Sequence, residues 1–218
     1  MSAYSKWLSE EMISAEGRWD TVTSVRFKRA YISWLVLALP LIWLVAHSQL
    51  GTPRPGNFFY WTGATSAILM IVTLAITPIT RLWSSVPGRN WLIKQRRYLG
   101  VASFLYAAVH TLYWIQAAGI RRVVQESVSD FSIIIAWVSL AIMAALFLTS
   151  NETSVRNLGP NWKRLQRWAY VAIPLGILHW FFEVSFDAKT IIIYGGAYLV
   201  VSVGRLFVTR WKWNKAEA

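Results

Sequence analysis

Cysteine is absent from this chain of 218 residues, and charged residues are scarce. Without thiols the chain cannot form disulfides, hold zinc or an iron–sulfur cluster through thiolates, or attach a c-type haem covalently. Only 15% of the residues are charged, whereas 56% are hydrophobic and the mean hydropathy is +0.40. A soluble domain has about a quarter charged residues, so the composition favours a membrane protein.

The excess of basic over acidic residues gives a net charge of +12, which would also suit a protein that binds nucleic acid. The basic residues, however, lie between long apolar runs and not on a single patch, and this is the distribution that membrane insertion produces. We therefore predict membrane lipid as the surroundings and no nucleic-acid partner. The first apolar run begins near Tyr31 and is long enough to span a membrane, so we expect no secretory signal peptide.

Six apolar runs predict an all-α fold, a polytopic bundle of six transmembrane helices. Four runs, 31–53, 55–80, 98–120 and 131–151, contain no charge and are long enough to cross a bilayer. The last two, 168–182 and 190–204, have only 15 residues each and must borrow length from their flanks. The expected spans lie near residues 31–50, 57–80, 98–119, 131–150, 166–185 and 190–208.

The distribution of Lys and Arg predicts the orientation. With six spans and both ends inside, 18 of the 22 basic residues fall in inner segments and only 4 in outer loops. This asymmetry predicts that both termini are cytoplasmic. Residues 1–30 form a cytoplasmic extension, either a short amphipathic helix on the membrane surface or a polar tail ordered by a partner. Residues 31–209 form the membrane domain and residues 210–218 a cytoplasmic tail.

Two of the three histidines lie at matched depth on different predicted spans. His110 follows Arg97 by 13 residues and His179 follows Arg167 by 12, which places them about 20 Å and 18 Å above the inner helix ends. Two neutral imidazoles in this arrangement are what axial ligation of a b-type haem requires. A single histidine in a span, however, is more often a packed residue bonded to a backbone carbonyl than a metal ligand. His47 lies near the outer end of span one and is interpreted as interfacial.

Small residues lie on the same helix faces as the two histidines. Gly176 and Ala172 lie three and seven residues before the histidine of span five, and Ala107 and Ser103 have the same offsets in span three. Small side chains on the face of a ligand leave space for a flat macrocycle. The residue four positions before each histidine is bulky in both helices, so the strip of small residues beside each histidine is narrow.

Several short motifs occur in a defined order along the chain. They are Thr62-Gly63, Ile76-Thr77-Pro78 with Arg81, the segment from Arg96 to Gly100, His110-Thr111, Thr149-Ser150, Leu158-Gly159, Trp162, Leu165, Tyr170 and His179. With these motifs the sequence resembles the ferric reductase-like transmembrane family. Its closest likeness is to the haem-binding membrane subunits of periplasmic methionine sulfoxide reductase systems. The resemblance covers roughly residues 31–209.

This resemblance implies that His110 and His179 are the axial ligands of an outer haem b. Relatives commonly carry a further histidine, for an inner haem, at the position occupied here by Gln166, and the matching position on span three is Arg97. Neither residue is a usual haem ligand, so we expect one haem.

The resemblance also implies flavin mononucleotide and a quinone as redox partners, although the sequence contains no nucleotide fingerprint. The basic loop 81–97 could hold a flavin phosphate, but membrane topology alone would also explain its charge. Arg121 and Arg122, just outside span three, could pair with haem propionates or be ordinary loop charges.

The implied function is a membrane subunit that passes electrons from quinol or flavin to a periplasmic reductase, such as a molybdopterin methionine sulfoxide reductase. Two alternatives stay open: a redox protein of the same fold with another acceptor, and a structural subunit of a larger membrane complex. The sequence shows no nucleophile–base pair, carboxylate pair or hydrolytic metal cluster. Whether the chain is an enzyme by itself is therefore left open, and any chemistry belongs to a cofactor or a partner.

Overall fold

A computed structural model describes residues 31–46, 55–83, 85, 87–184 and 188–217, without the side chains of 55–57, 190 and 210–217. The predicted extension 1–30, His47 and Arg54 lie outside the described residues. Backbone contacts divide the chain at residue 40, and the packing discussed below is that of residues 41–218. All regular structure in the described ranges is helical, with no strand, which confirms the predicted all-α class.

The helices are numbered here in chain order. They are α1 (Tyr31–Ala46), α2 (Pro55–Leu82), α3 (Arg89–Ala118), α4 (Ile120–Ser129), α5 (Phe131–Leu148), α6 (Glu152–Leu158), α7 (Pro160–Gln166), α8 (Ala169–Glu183), α9 (Ala188–Thr190) and α10 (Gly196–Glu217), with a π-helical segment, Ile191–Gly195, leading into α10.

Four helical segments of the described chain are long and apolar enough to cross a membrane: Phe58–Leu82, Arg89–Ala118, Phe131–Leu148 and Ile191–Thr209. They agree with four of the six predicted spans and make this a membrane protein. The described part of α1 has the apolar character but is shorter, and α8 has 15 residues. Fifteen residues rise about 22 Å, less than a hydrocarbon core of about 30 Å. The six-span count is therefore not confirmed.

The structure corrects two of the predicted boundaries. The predicted span 166–185 is not one helix, because α7 ends at Gln166 and α8 begins at Ala169. Between them the backbone tightens into bonds three residues apart, from Arg167 N to Arg164 O and from Trp168 N to Leu165 O. Helix α3 begins at Arg89, well before the predicted residue 98. Arginine and lysine are good helix formers, so the apolar run marks the membrane portion and not the helix start.

Local signals explain most of the helix ends. Gly119, with a φ of 79°, ends α3, and Gly159, with a φ of 50°, separates α6 from α7. Both values favour glycine because a side chain is strained there. Asp130 caps α5 by accepting a hydrogen bond from Ser132 N, and Asn151 caps α6 through Ser154 N.

Close helix packing relies on small residues. Helices α2 and α3 are joined by a reciprocal pair of buried bonds, from Ser66 Oγ to Ser103 O and from Ser103 Oγ to Ser66 O. Between α5 and α8, Ser139 Oγ donates to Ala172 O at 2.8 Å. Small side chains let membrane helices approach each other closely. Ser103 and Ala172 therefore serve helix contacts, a use that their offsets from the histidines did not indicate.

Candidate haem site

His110 is fixed by a hydrogen bond to the neighbouring helix. Its Nδ1 lies 2.9 Å from Phe59 O of α2, and its ring stacks on the Phe59 ring at a centroid distance of 4.0 Å. A carbonyl oxygen can only accept, so Nδ1 must carry the proton and donate it. The other ring nitrogen, Nε2, then keeps a free lone pair, as a metal ligand requires.

Gly63 provides the room for the His110 imidazole. A Cβ at this position would lie 3.1 Å from both Cε1 and Nδ1 of the ring, closer than ordinary van der Waals contact. The adjacent Thr62 is fully buried, and its hydroxyl donates to Phe58 O and Phe59 O at 2.9 Å. Thr62-Gly63 is one of the short motifs of the sequence, but no role in the site was predicted for it. This motif is the sequence signal that could have indicated the contact.

His179 is held in the same way against α5, through Ser132. Its Nδ1 lies 3.1 Å from Ser132 O and 2.9 Å from Ser132 Oγ. Because the carbonyl oxygen only accepts, Nδ1 again carries the proton. The Ser132 hydroxyl is then free to donate to Glu183 Oε1, which lies 2.8 Å away. A chain of bonds thus runs from the imidazole through a hydroxyl to a carboxylate. Neither Ser132 nor Glu183 was predicted from the sequence.

The two imidazoles have the same tautomeric state and lie in the same part of the bundle. Both are partly buried, and Tyr60 and Trp180, the residues next to Phe59 and His179, are in ring contact with centroids 5.3 Å apart. No described residue hydrogen-bonds either Nε2, and neither atom is among the fully enclosed polar atoms that lack a partner. A carbonyl bond alone would suit a packed histidine, but two neighbouring imidazoles whose Nε2 atoms no described residue binds are what ligation needs.

The donor set fits a haem better than a bare metal ion. The described residues contain no group of three or more His, Asp or Glu side chains that could hold an ion. A haem needs only two axial ligands, because its macrocycle supplies the other four nitrogens. Histidines that ligate metals usually donate their second ring nitrogen to a carbonyl or carboxylate, and both residues do so here.

The predicted small residues lie at helix contacts. A Cβ on Gly176 would meet Ser139 Oγ of α5 at 3.5 Å, and Ala107 packs against the buried core formed by α2, α5 and α8. Their role beside a cofactor stays a prediction.

Arg121 and Arg122 lie on α4, directly after α3. The Arg122 side chain is 69% exposed and forms an ion pair with Glu126 one turn later. The hydrogen bond that Arg122 donates to Glu126, together with the negative charge of Glu126, raises the pKa of Arg122 above its ordinary value. Arg121 is exposed as well. Their pairing with haem propionates stays a prediction.

The two positions that would serve an inner haem are engaged in other contacts. Gln166 Nε2 lies 3.3 Å from Leu146 O and 3.3 Å from Thr149 Oγ1, so its amide satisfies the carboxyl end of α5. Arg97 forms an ion pair with Glu152 of α6. Each side chain therefore connects helices.

Comparison with known proteins identifies the family of this chain. Residues 62–177 match the family model described as the ferric reductase-like transmembrane component. The chain is 31% identical over 193 residues to the protein-methionine-sulfoxide reductase haem-binding subunit MsrQ of Ralstonia nicotianae, covering 84% of this chain and 86% of that protein. The subunit of the same name from Brucella anthropi is 31% identical over 182 residues, covering 79% and 80%.

Proposed function

Since this chain belongs to the ferric reductase-like transmembrane family, we propose that it is a haem-binding membrane subunit that transfers electrons. His110 and His179 would hold one haem b through their Nε2 atoms. Electrons come from a quinol or a flavin mononucleotide on the inner side and leave for a periplasmic reductase. The similar proteins are named as subunits of a methionine sulfoxide reductase, so a molybdopterin enzyme of that activity is the expected partner.

One observation supports this proposal above the others. Two imidazoles on different helices each donate Nδ1–H to a carbonyl of an adjacent helix, Phe59 O or Ser132 O, and leave Nε2 unbonded by any described residue. A packed structural histidine would normally use both ring nitrogens, because a buried polar group without a partner costs free energy. The arrangement therefore suits a ligand that comes from outside the chain.

The residues around the histidines set how a haem would be held. A haem bound here supplies one-electron transfer. The stacking of Phe59 and the closeness of Gly63 fix the plane of His110, so its Nε2 has one direction in which to point. The chain of bonds from Glu183 through Ser132 makes His179 a more basic ligand.

We infer one haem rather than two. The inner positions offer an amide at Gln166 and a guanidinium at Arg97, and both take part in contacts between helices. Releasing either side chain would leave the end of α5 or the Glu152 carboxylate without its partner. This supports a single haem, at the level of His110 and His179.

We also propose that residues 31–209 form a membrane domain with six spans. This domain lies in a bacterial inner membrane, and both termini of the chain are in the cytoplasm. The support is the asymmetry of 18 inner against 4 outer basic residues. The short helices α1 and α8 would then be the remaining spans. A short span is accommodated by local thinning of the bilayer or by flanking residues that reach the interface.

Optical spectroscopy of three histidine variants tests the haem site. Purified protein should show a b-type spectrum when reduced with dithionite, and His110→Ala and His179→Ala should each lose it. His47→Ala is the matched control, because it removes the third histidine of the chain and should keep the absorbance. A b-type spectrum that survives in both ligand variants would refute the assignment.

A further inference from the structure

Helix α4 has three distinct sides, and one of them is an exposed apolar stripe. Ile120, Val124 and Val128 follow each other at intervals of four residues, so they lie on one side of the helix. They are exposed over 72%, 58% and 76% of their surface. The described residues therefore leave this side largely uncovered. These three residues are called the α4 stripe below.

A second side of α4 packs against the bundle and fixes the rotation of the helix. Val123 is buried, and Glu126 and Ser127 are partly buried. Ser127 Oγ accepts a hydrogen bond of 2.9 Å from Trp137 Nε1 of α5. These contacts would have to break before the α4 stripe could turn inward, so the stripe stays on the outside of the bundle.

The third side of α4 is polar. Arg121, Gln125 and Ser129 are exposed, and they lie one residue, or about 100°, further round the helix than the α4 stripe. An exposed apolar side next to an exposed polar side is typical of a helix that lies between lipid and water. Exposure of the aliphatic side chains to water alone would be unfavourable, so the α4 stripe needs an apolar partner.

The neighbouring helices place both ends of α4 at one membrane boundary. Residues 98–118 of α3 rise about 31 Å from Arg97 and so reach across a hydrocarbon core of about 30 Å. A single residue separates the end of α4 from α5, whose 18 residues rise about 27 Å back through the membrane. A helix that is joined to this boundary at both ends runs along the membrane surface. The nearest apolar medium for the α4 stripe is therefore the bilayer.

The composition of the α4 stripe also favours lipid over a protein partner. It consists of isoleucine and valine and contains no aromatic residue or arginine, which are the side chains that anchor protein interfaces. Exposed apolar residues occur on the adjoining parts of both spanning helices, such as Leu112 in the last turns of α3 and Phe131 at the start of α5. The exposed apolar surface thus continues along the chain from the spanning helices onto α4.

We propose that α4 is an interfacial membrane anchor, in which the α4 stripe enters the bilayer and the polar side faces water. The apolar side of such a helix lies about 5–10 Å into the boundary between head groups and acyl chains. With both termini in the cytoplasm, this is the outer surface of the membrane. The anchor does not depend on haem binding or on the direction of electron transfer.

Site-specific fluorescence tests the anchor, because the chain has no cysteine and one introduced thiol is its only labelling site. Full-length Val124→Cys and the matched control Gln125→Cys are labelled with the environment-sensitive fluorophore NBD and reconstituted in phosphatidylcholine vesicles. The label at position 124 should emit at shorter wavelength and be quenched by lipid brominated in the upper part of its acyl chains. The label at position 125 should resist this lipid and be quenched by iodide present on both sides of the membrane.

A second pair of variants makes the result independent of one substitution. Val128→Cys and Ser129→Cys lie one turn later on the same two sides of α4 and should show the same contrast. Thermal unfolding of every labelled variant is compared with that of wild type, so that quenching is measured only on folded protein. Haem content is measured in the same samples, and its loss or retention does not bear on the anchor.

Three results would overturn the anchor. Equal iodide quenching within both pairs would leave the α4 stripe in water, where a soluble protein could bind it. Shielding of positions 124 and 128 that fades as the lipid-to-protein ratio rises would assign the stripe to a second copy of the chain. Stronger quenching by lipid brominated near the ends of its acyl chains than by lipid brominated near the head group would place the stripe too deep for an interfacial helix.

Discussion

Gly63→Ala is the sharpest perturbation of the candidate haem site, because it adds one methyl group against one ligand. The new Cβ would lie 3.1 Å from Cε1 and Nδ1 of His110. Carbon atoms in good contact are about 3.5–4.0 Å apart, so the imidazole must move by roughly 0.4 Å or more. It cannot move freely, because Nδ1 is bonded to Phe59 O at 2.9 Å and the ring is stacked on the Phe59 ring.

Two opposing terms determine the effect on stability. Replacing glycine by alanine inside a helix gains up to about 1 kcal/mol, whereas overpacking costs about 1–3 kcal/mol. The free energy of unfolding should therefore fall by no more than about 3 kcal/mol. Haem binding is more sensitive, because metal–ligand distances tolerate only about 0.2 Å. If the strain appears only in the ligated state, affinity should fall roughly 5- to 150-fold.

The measurement is haem content per chain by pyridine haemochrome, together with thermal unfolding of the haem-free protein. Gly100→Ala is the matched control, since it adds a methyl group at the same α2–α3 interface but 3.7 Å from Thr73 Cγ2, which is ordinary contact. It should keep its haem. Full haem content and an unchanged spectrum in Gly63→Ala would refute the reasoning, as would an equal loss in Gly100→Ala.

Four further predictions follow from described contacts. Ser132→Ala and Glu183→Gln should raise the haem midpoint potential, by about 40 mV if the lost hydrogen bond is worth ~1 kcal/mol; an unchanged potential would remove the bond chain from the site. The native protein should contain one haem per chain and titrate as a single component, because Gln166 offers no imidazole; two components would contradict this. Reporter fusions in the turn between α2 and α3 should report a cytoplasmic location, and a periplasmic signal would overturn the orientation. The hydrogen bond from Arg97 lowers the pKa of the Glu152 carboxyl, so this contribution to stability is complete above the ordinary carboxyl pKa and is lost as the pH falls through the lowered one; a Glu152→Gln variant with the same acid sensitivity as wild type in thermal melts would contradict it.

Membrane class and helical class were readable from the sequence. The apolar runs at 55–80, 98–120 and 131–151 each became a helix of spanning length, because an unbroken apolar stretch of that length can satisfy its backbone in lipid only as a helix. The interruption between Gln166 and Ala169 was not readable. It depends on α7 packing its side chains onto the end of α5, where Gln166 and Trp162 bond the terminal carbonyls.

The histidine pair was predicted from matched depth, from small residues on the same helix faces and from the family resemblance. Depth was readable because a helix has a fixed rise per residue and charges mark its ends. Gly176 and Ala107 were chosen by the same local geometry. They lie against Ser139 and the core, because a small residue on a ligand-bearing face can serve a neighbouring helix as well as a cofactor. Their place beside a cofactor stays a prediction.

The sequence by itself determined that this protein lies in a membrane, how many apolar runs it has and which two imidazoles reach the same depth. These features follow from hydrophobicity, charge and helical rise, which are properties of one segment at a time. Tertiary structure alone decided what holds each imidazole. Phe59 and Ser132 lie 51 and 47 residues from the histidines that they contact, and Gly63 acquires its role only from the register of α2 against α3. Such contacts depend on how helices pack against each other, and no periodicity within one segment records that.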